Sequence, residues 1–384
     1  MKRKTIILLA LCSLLLLIFF RMPWWFDRSV NNVSSQEISA STVATTLHAQ
    51  LWVADLHCDA LLWNRNLLAE NDRGHVDIPR LIRGNVALQA FTVVSKTPLF
   101  MSYESNSDFT DTITLLALAQ RWPVRTWFNL RDRALYQARK LRSFAESSNG
   151  RFRVIDSAKT LDDYVRDRAR DRSITAGWLG IEGAQVLEGD ITNVKVLFDA
   201  GFRMMAPSHF FDTDVGGSAH GEQKGGLTDF GREVIAEMER VGMIVDLAHA
   251  SEQTIDDVLS LATRPVFVSH TGVRATCDGR RNLGDQQLRA IAAKGGLVGI
   301  GFFAGATCGY DVKAIGNAIS HAVNIVGVDH VALGSDFDGA VSVPFDAAGM
   351  AILTEELMAR GFSRHEISLI MGENVKRLLR TLLP

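Results

Sequence analysis

Three observations on the 384-residue sequence predict an α/β fold of the (β/α)8, TIM-type barrel class, preceded by an N-terminal transmembrane or signal segment. Eight short apolar runs recur from Leu51 onward, and the segments between them carry polar loops and amphipathic stretches, the order that builds a parallel sheet covered by helices. Most of the runs are apolar without alternation, as strands buried on both faces are. No G-x-G-x-x-G loop follows a run, which disfavours the doubly wound open sheet, the nearest competitor.

Lys2, Arg3 and Lys4 open the chain and precede an apolar run from Ile6 to Phe20, broken only by Ser13, after which come Arg21, Pro23, Trp24 and Trp25. Basic residues before the run favour a cytoplasmic start, and the tryptophans suit the far interface. Residues 1–26 therefore read as a signal-anchor or signal peptide; no small-x-small cleavage site follows directly, which favours an uncleaved anchor. Either way the catalytic region is expected to be membrane-anchored or exported, on the extracytoplasmic side. Residues 27–46, rich in Ser, Asn and Thr, read as a linker, and 47–384 as the barrel domain.

The predicted strands run over 52–57, 86–94, 175–183, 202–209, 243–249, 265–270, 296–303 and 330–337. A helix is predicted over Phe230 to Val241, with Val234, Ile235, Met238 and Val241 at helical spacing and Gly242 as the stop. Ser363 and Glu366 form a capping box before EISLIMGENVKRLL. An insertion at about 95–161 holds the helix-like stretches LLALAQRW and RALYQARKLRSFAES and is expected at the barrel mouth or flank.

A composition of 47% hydrophobic and 22% charged residues suits a large core, and a net charge of −2 gives no electrostatic footprint for nucleic acid. Of the four cysteines, Cys12 lies in the apolar segment and Cys58 reads as a small apolar residue behind the site. Cys277 and Cys308 each follow a predicted strand in a loop, which makes them the plausible disulfide pair in an exported chain, with free buried thiols the alternative.

The chemistry-bearing residues share one position. His57 and Asp59 form an H-x-D pair after the first run, Glu182 closes the third, His209 the fourth, His249 the fifth, His270 the sixth, and Asp336 the eighth. In such barrels the carboxyl ends of the strands meet at one face, so three carboxylates and several imidazoles there predict a metal site. Charge favours two ions: Asp59, Glu182 and Asp336 with one bridging hydroxide balance two Zn²⁺, whereas one zinc leaves buried anion unpaired. Two metals roughly 3.5–4 Å apart also generate hydroxide at neutral pH and polarise a carbonyl.

From Leu51 to the carboxyl terminus the chain resembles the membrane dipeptidases, the renal dipeptidase-like zinc metallopeptidases, through DLHCD, GIEG, GLTDFGREV, IVDLAHAS, VSHTGVR, RRNLGD and GSDFDG, all in family order. The resemblance implies that His57 and Asp59 ligate a first zinc and His249 and His270 a second, with Glu182 bridging. It implies that Asp336 is the acid/base residue beside the first metal, that His209 steadies the oxyanion, and that Arg281 holds the substrate's terminal carboxylate. Arg280 and Asp338 compete with Arg281 and Asp336, and His220 is expected in a mobile loop away from the metals. The implied activity is hydrolysis of dipeptides by metal-bridged hydroxide attack, with tolerance of a D-residue at the carboxyl side and of β-lactam-like substrates; relatives often form dimers. QAFTVV stands where relatives carry an aromatic QFWS-type segment, and AQVLEGD where they carry GHS, so side-chain preference is not transferable. The alternatives are a cyclic-amide or lactone hydrolase on the same barrel, for which no strand-end lysine supplies a carboxylated bridge, and an inactive anchored binding protein.

Overall fold

The apolar runs form eight strands: β1 Val53–Asp55, β2 Val86–Val94, β3 Thr175–Glu182, β4 Phe202–Met205, β5 Ile244–Val245, β6 Phe267–Thr271, β7 Leu297–Ile300 and β8 Val331–Leu333. They are seen in a computed structural model that describes residues 2–34 and 39–384. The strands lie in the order β5-β4-β3-β2-β1-β8-β7-β6, every neighbouring pair parallel. A parallel bridge between Asp246 and Phe267, in which the Leu247 amide donates to the Phe267 carbonyl at 2.8 Å, joins β5 to β6 and closes the ring. The predicted barrel class is thus observed.

Alternation along β3 shows how the ring is filled. Ala176 and Trp178 join an inner cluster with Met204, Phe267 and Ala332, which also takes in Leu378 of the C-terminal helix. Leu179 and Ile181 join the cluster formed with the surrounding helices. Glu182 shares the parity of Trp178, which turns its carboxylate inward at the strand tip. A register shift in β6 between Val268 and Thr271 leaves Ser269 and His270 in a bulge, a device that re-aims side chains at barrel rims.

The helix predicted over 230–241 spans Asp229–Val241, capped by Thr228 and ended by Gly242 at φ 89°, a left-handed turn that glycine makes without strain. Ser363 caps Arg364–Ser368 as predicted, but the expected continuous helix is broken by a π turn at Leu369–Glu373. Gly372 there abuts β1, where a Cβ would stand 2.2 Å from the Trp52 carbonyl oxygen. The insertion carries helices Thr112–Ala119 and Leu130–Ser147 and adds a short strand, Phe152–Val154, beside β3.

The N-terminal helix runs from Lys2 to Val30, and its stretch Lys4–Val30 is long and apolar enough to cross a membrane, a test that anchors and signal sequences both pass. The boundary expected at residue 26 is not a structural one. Asp27 is buried and paired with Arg73 at 2.8 Å and Arg65 at 3.4 Å, and the Ala340 amide donates to Asn31 Oδ1 at 2.9 Å. Asn32–Val33 pairs in parallel with Ser342–Val343, and Ser41 caps the helix Thr42–His48, whose His48 ring lies within 2.9 Å of Thr354 Oγ1 and of the Gly84 carbonyl. The expected linker over 27–46 is therefore anchored to the barrel at Asp27, Asn31–Val33 and Ala44, with exposed residues between; residues 35–38 lie outside the described residues. Its Ser, Asn and Thr content serves capping and side-chain-to-backbone bonding here, uses the same composition permits.

Cys277 and Cys308 are bonded, which ties the loop after β6 to the loop after β7. Cys58 is a buried free thiol and Cys12 is exposed.

Candidate metal centre

The strand ends converge on Glu182. Its Oε1 lies 3.0 Å from His249 Nε2, 3.5 Å from His270 Nε2 and 3.6 Å from His57 Nε2, and its Oε2 lies 3.3 Å from His209 Nε2. His249 Nε2 and His270 Nε2 stand 2.9 Å apart. On the other side His57 Nε2 is 3.6 Å from Asp59 Oδ1 and 3.9 Å from Asp336 Oδ1. Three groups result, each with its donor atoms within 4.8 Å of one another: His57, Glu182 and His270; Glu182, His209 and His249; His57, Asp59 and Asp336.

A second ring of polar side chains orients these donors. Ser269 Oγ sits 3.1 Å from His57 Nδ1 and 3.0 Å from His270 Nδ1, holding both rings with their Nε2 atoms inward. Thr92 donates to Asp59 Oδ1 at 2.7 Å. Asp246 Oδ1 accepts from the amides of Ala248 and Ser269, and Asp55 accepts from the Ser335 amide and hydroxyl and from Gln89, so the end of β5 is tied to β6, and the end of β1 both to the middle of β2 and to the segment after β8. His249 and Asp336 adopt left-handed φ of 62° and 63°, a strained conformation for side chains of this size that clusters at functional sites.

The electrostatics of the site are set by burial and by the close approach of like charges. Burial pushes the Glu182 carboxyl well up, with Asp59 adding repulsion, and burial likewise pushes Asp336 up to about 8. Burial opposes the charged form of His57, yet Glu182, Asp59 and Asp336 together push it up to about 10. Burial drives His209, His249 and His270 well down, leaving neutral imidazoles with free lone pairs. Three carboxylates packed out of water beside neutral imidazole donors are costly unless cations join them, and this donor set, with its oriented rings, fits borderline divalent metals.

The site residues read from sequence meet here, together with Arg281. Arg281 is buried, lines the same cavity as Glu182, His209 and Asp336, and donates from Nη2 to the His270 carbonyl at 2.8 Å; Arg280 points to solvent. Asp338 is turned away, accepting from the His75 and Val76 amides and paired with Arg65 at 2.8 Å, a structural role. His220 departs from expectation: it is fully buried, stacked on Phe210 at 4.7 Å, and its ring is 5.3 Å from that of His249. The glycines of its loop serve close approach, since a Cβ at Gly217 would lie 2.1 Å from the Gly225 carbonyl oxygen. His220 joins none of the three donor groups among the described residues.

Sequence reasoning missed Thr92, Asp246 and Ser269. The available signal was a polar residue inside an apolar run, in QAFTVV, IVDLAH and PVFVSH. It also missed Met22, Pro23 and Phe26, which line the cavity from the N-terminal helix; no local pattern marks them.

Comparison with known proteins agrees with this geometry. Residues 42–382 match the family model described as membrane dipeptidase, peptidase family M19. An uncharacterized dipeptidase of Schizosaccharomyces pombe is 28% identical over 330 residues, covering 82% of this chain and 75% of its own. The crystal structure of a metallopeptidase named dipeptidase AC superposes with a TM-score of 0.73 at 26% identity, covering 87% of this chain and 99% of that one. A metallopeptidase from Rhodobacter sphaeroides, liganded with a phosphinate mimic of the dipeptide L-Ala-D-Ala, superposes with a TM-score of 0.70 at 25% identity, covering 86% and 99%. The chain belongs to the membrane dipeptidase family, peptidase family M19, and is a hydrolase of the metallodipeptidase type.

Proposed function

We propose that the protein is a dinuclear zinc dipeptidase that hydrolyses dipeptides with a free carboxyl terminus. The observation that carries this reading is the position of Glu182 Oε1, within 3.0–3.6 Å of imidazole nitrogens from three strand ends, with Asp59 and Asp336 beside His57. His57 and Asp59 would hold one ion, His249 and His270 the other, and Glu182 both. Bound there, two divalent cations lower the pKa of water and polarise a carbonyl oxygen.

The remaining work falls to this chain's own groups. Arg281 takes the terminal carboxylate through two parallel N–H···O bonds, which limits substrates to short peptides and fixes the scissile amide over the carboxylates. His209, neutral and 3.3 Å from Glu182, is placed to donate from Nε2 to the oxygen on which charge develops. Asp336, 3.9 Å from His57 Nε2 and on the lining of the same cavity, would hold a proton and pass it to the departing amide nitrogen. Glu182 fills the place a carboxylated lysine would take in a cyclic-amide hydrolase, which favours the peptidase. The relative liganded with an L-Ala-D-Ala mimic supports acceptance of a D-residue at the carboxyl side.

The test is turnover of a dipeptide panel including L-Ala-D-Ala by the purified full chain, before and after chelation and zinc return, with metal content measured in parallel. Two zinc ions per chain and chelator-sensitive release of amino acids are expected. Activity on cyclic amides or lactones alone, or turnover that survives complete metal removal, overturns the reading.

A further inference from the structure

The turn that carries Asp336 is strained. Asp336, Asp338 and Ala340 adopt left-handed φ of 63°, 65° and 60°, a conformation that persists only where the surroundings over-determine it. Gly339 among them abuts Asp336, since a Cβ there would lie 2.0 Å from Asp336 Oδ1. Part of the restraint comes from the barrel domain itself. The Trp63 indole donates to the Asp338 carbonyl at 2.7 Å, the His75 and Val76 amides donate to the Asp338 carboxylate, and the Asp338 amide donates to His75 Nδ1 at 2.9 Å.

The rest comes from residues 27–34, which precede the stretch that the family model matches, 42–382. Arg65 pairs with Asp338 at 2.8 Å on one side and with Asp27 at 3.4 Å on the other. Asn31 Nδ2 donates to Asp27 Oδ1 at 2.9 Å, while Asn31 Oδ1 accepts from the Ala340 amide at 2.9 Å. Asp338, Arg65, Asp27, Asn31 and Ala340 thus form a chain of polar contacts that the backbone closes through Gly339, and all of the side chains that build it are buried. Its charges balance, because Arg73 also pairs with Asp27, at 2.8 Å; without Asp27 the two arginines would face Asp338 with a cation in excess away from water. Beyond the ring, Asn32–Val33 pairs in parallel with Ser342–Val343, and the Ser34 amide donates to the Val343 carbonyl at 2.8 Å.

We propose that Asp27 and Asn31 are positioning residues for Asp336: they fix the Asp338–Ala340 side of the turn and, through it, the direction in which the Asp336 carboxylate enters the cavity. This deepens and rests on the dipeptidase reading, in which Asp336 passes a proton to the departing amide nitrogen. Asp27 and Asn31 neither line the cavity nor belong to the three donor groups, so they act only through the turn. Asp27 lies in the last turn of the N-terminal helix, which ends at Val30, and the helix and the acid/base carboxylate are therefore one mechanical unit.

The experiment uses the zinc-loaded full chain and compares wild type with Asn31→Leu, Asp27→Asn, Ser41→Ala and Asp336→Asn. Substrates are L-Ala-D-Ala and the ester in which oxygen replaces its scissile nitrogen. A departing amine must be protonated, whereas an alkoxide leaves more readily without help, so a misplaced acid shows as a loss on the amide relative to the ester. Asp336→Asn sets the scale of that selective loss. Asn31→Leu and Asp27→Asn are each expected to lower kcat on the amide by roughly tenfold, with KM and zinc content unchanged, and to lower it severalfold less on the ester. Ser41→Ala removes a helix cap from the same N-terminal segment without touching the turn, and is expected to change neither rate. Hydrogen exchange is expected to rise in peptides covering 336–343 in Asn31→Leu and Asp27→Asn, and not across the other strand ends. Unchanged kcat, equal losses on amide and ester, unchanged exchange over 336–343, or loss of zinc or of the fold in both variants overturns this inference and leaves the dipeptidase intact. If Asp336→Asn shows no selective loss on the amide, the proton role of Asp336 falls and this inference falls with it.

Discussion

Replacing Arg281 with lysine separates carboxylate recognition from the chemistry of the centre. The guanidinium is buried in the cavity, so under the proposed function a substrate carboxylate would meet it without competition from bulk water, and its planar fork can make two parallel bonds where an ammonium makes a point contact. Arg281→Lys keeps the charge and loses one charge-assisted bond, worth about 1.5–3 kcal/mol, or a fall of roughly 10- to 150-fold in kcat/KM. The loss of the 2.8 Å bond from Nη2 to the His270 carbonyl adds to this by loosening the loop. The assay compares a dipeptide with its carboxamide. Wild type is expected to reject the amide strongly, and the variant to lose most of that discrimination while its zinc content stays unchanged. Full retention of the discrimination would refute the role given to Arg281.

Thr92→Val removes the hydroxyl that donates to Asp59 and touches His57; zinc affinity measured by chelator competition is expected to fall by roughly 10- to 100-fold, and unchanged affinity would count against the orienting role. Reducing the Cys277–Cys308 bond frees a loop closed over 31 positions, expected to cost about 3–4 kcal/mol, and raises KM because Arg281 lies on the tethered loop; thermal melts with and without reductant, alongside kinetics, check both. His48 gives a pH test remote from the metals. Burial lowers its folded pKa below the unfolded value near 6.5, so the unfolded chain binds the extra proton, and the stability due to its neutral form is present above that value and lost as pH falls below it. In urea titrations the stability gap between wild type and His48→Gln should therefore shrink from pH 7.5 to pH 5, whereas parallel curves would contradict the burial argument.

Much of the centre was legible in sequence because its residues sit at the ends of buried parallel strands, where an apolar run stops abruptly at His or an acid. That signal located His57, Glu182, His249 and His270 before any geometry was known. It could not separate Asp336 from Asp338: alternation holds only inside a ladder, and here the chain has left β8 at Leu333 and turns through left-handed φ at both aspartates. Arg280 and Arg281 are likewise equivalent to local chemistry, and only burial distinguishes them. Asp55 and Asp246 each stand out as an acid inside an apolar run, but the partners they bond, Ser335 and Ser269, lie on other strand ends and leave no local sign. The extent of the N-terminal helix escaped for a related reason, since the arginines that pair with Asp27 lie near residues 65 and 73 and nothing local announces them.

Zinc-edge anomalous diffraction from crystals of the metal-loaded full chain tests the proposed sharing of Glu182 by two cations. Two peaks roughly 3.5–4 Å apart are expected to flank the Glu182 carboxylate, one beside His57 and Asp59 and the other beside His249 and His270. A single peak, or peaks that leave Glu182 uncoordinated, would contradict it.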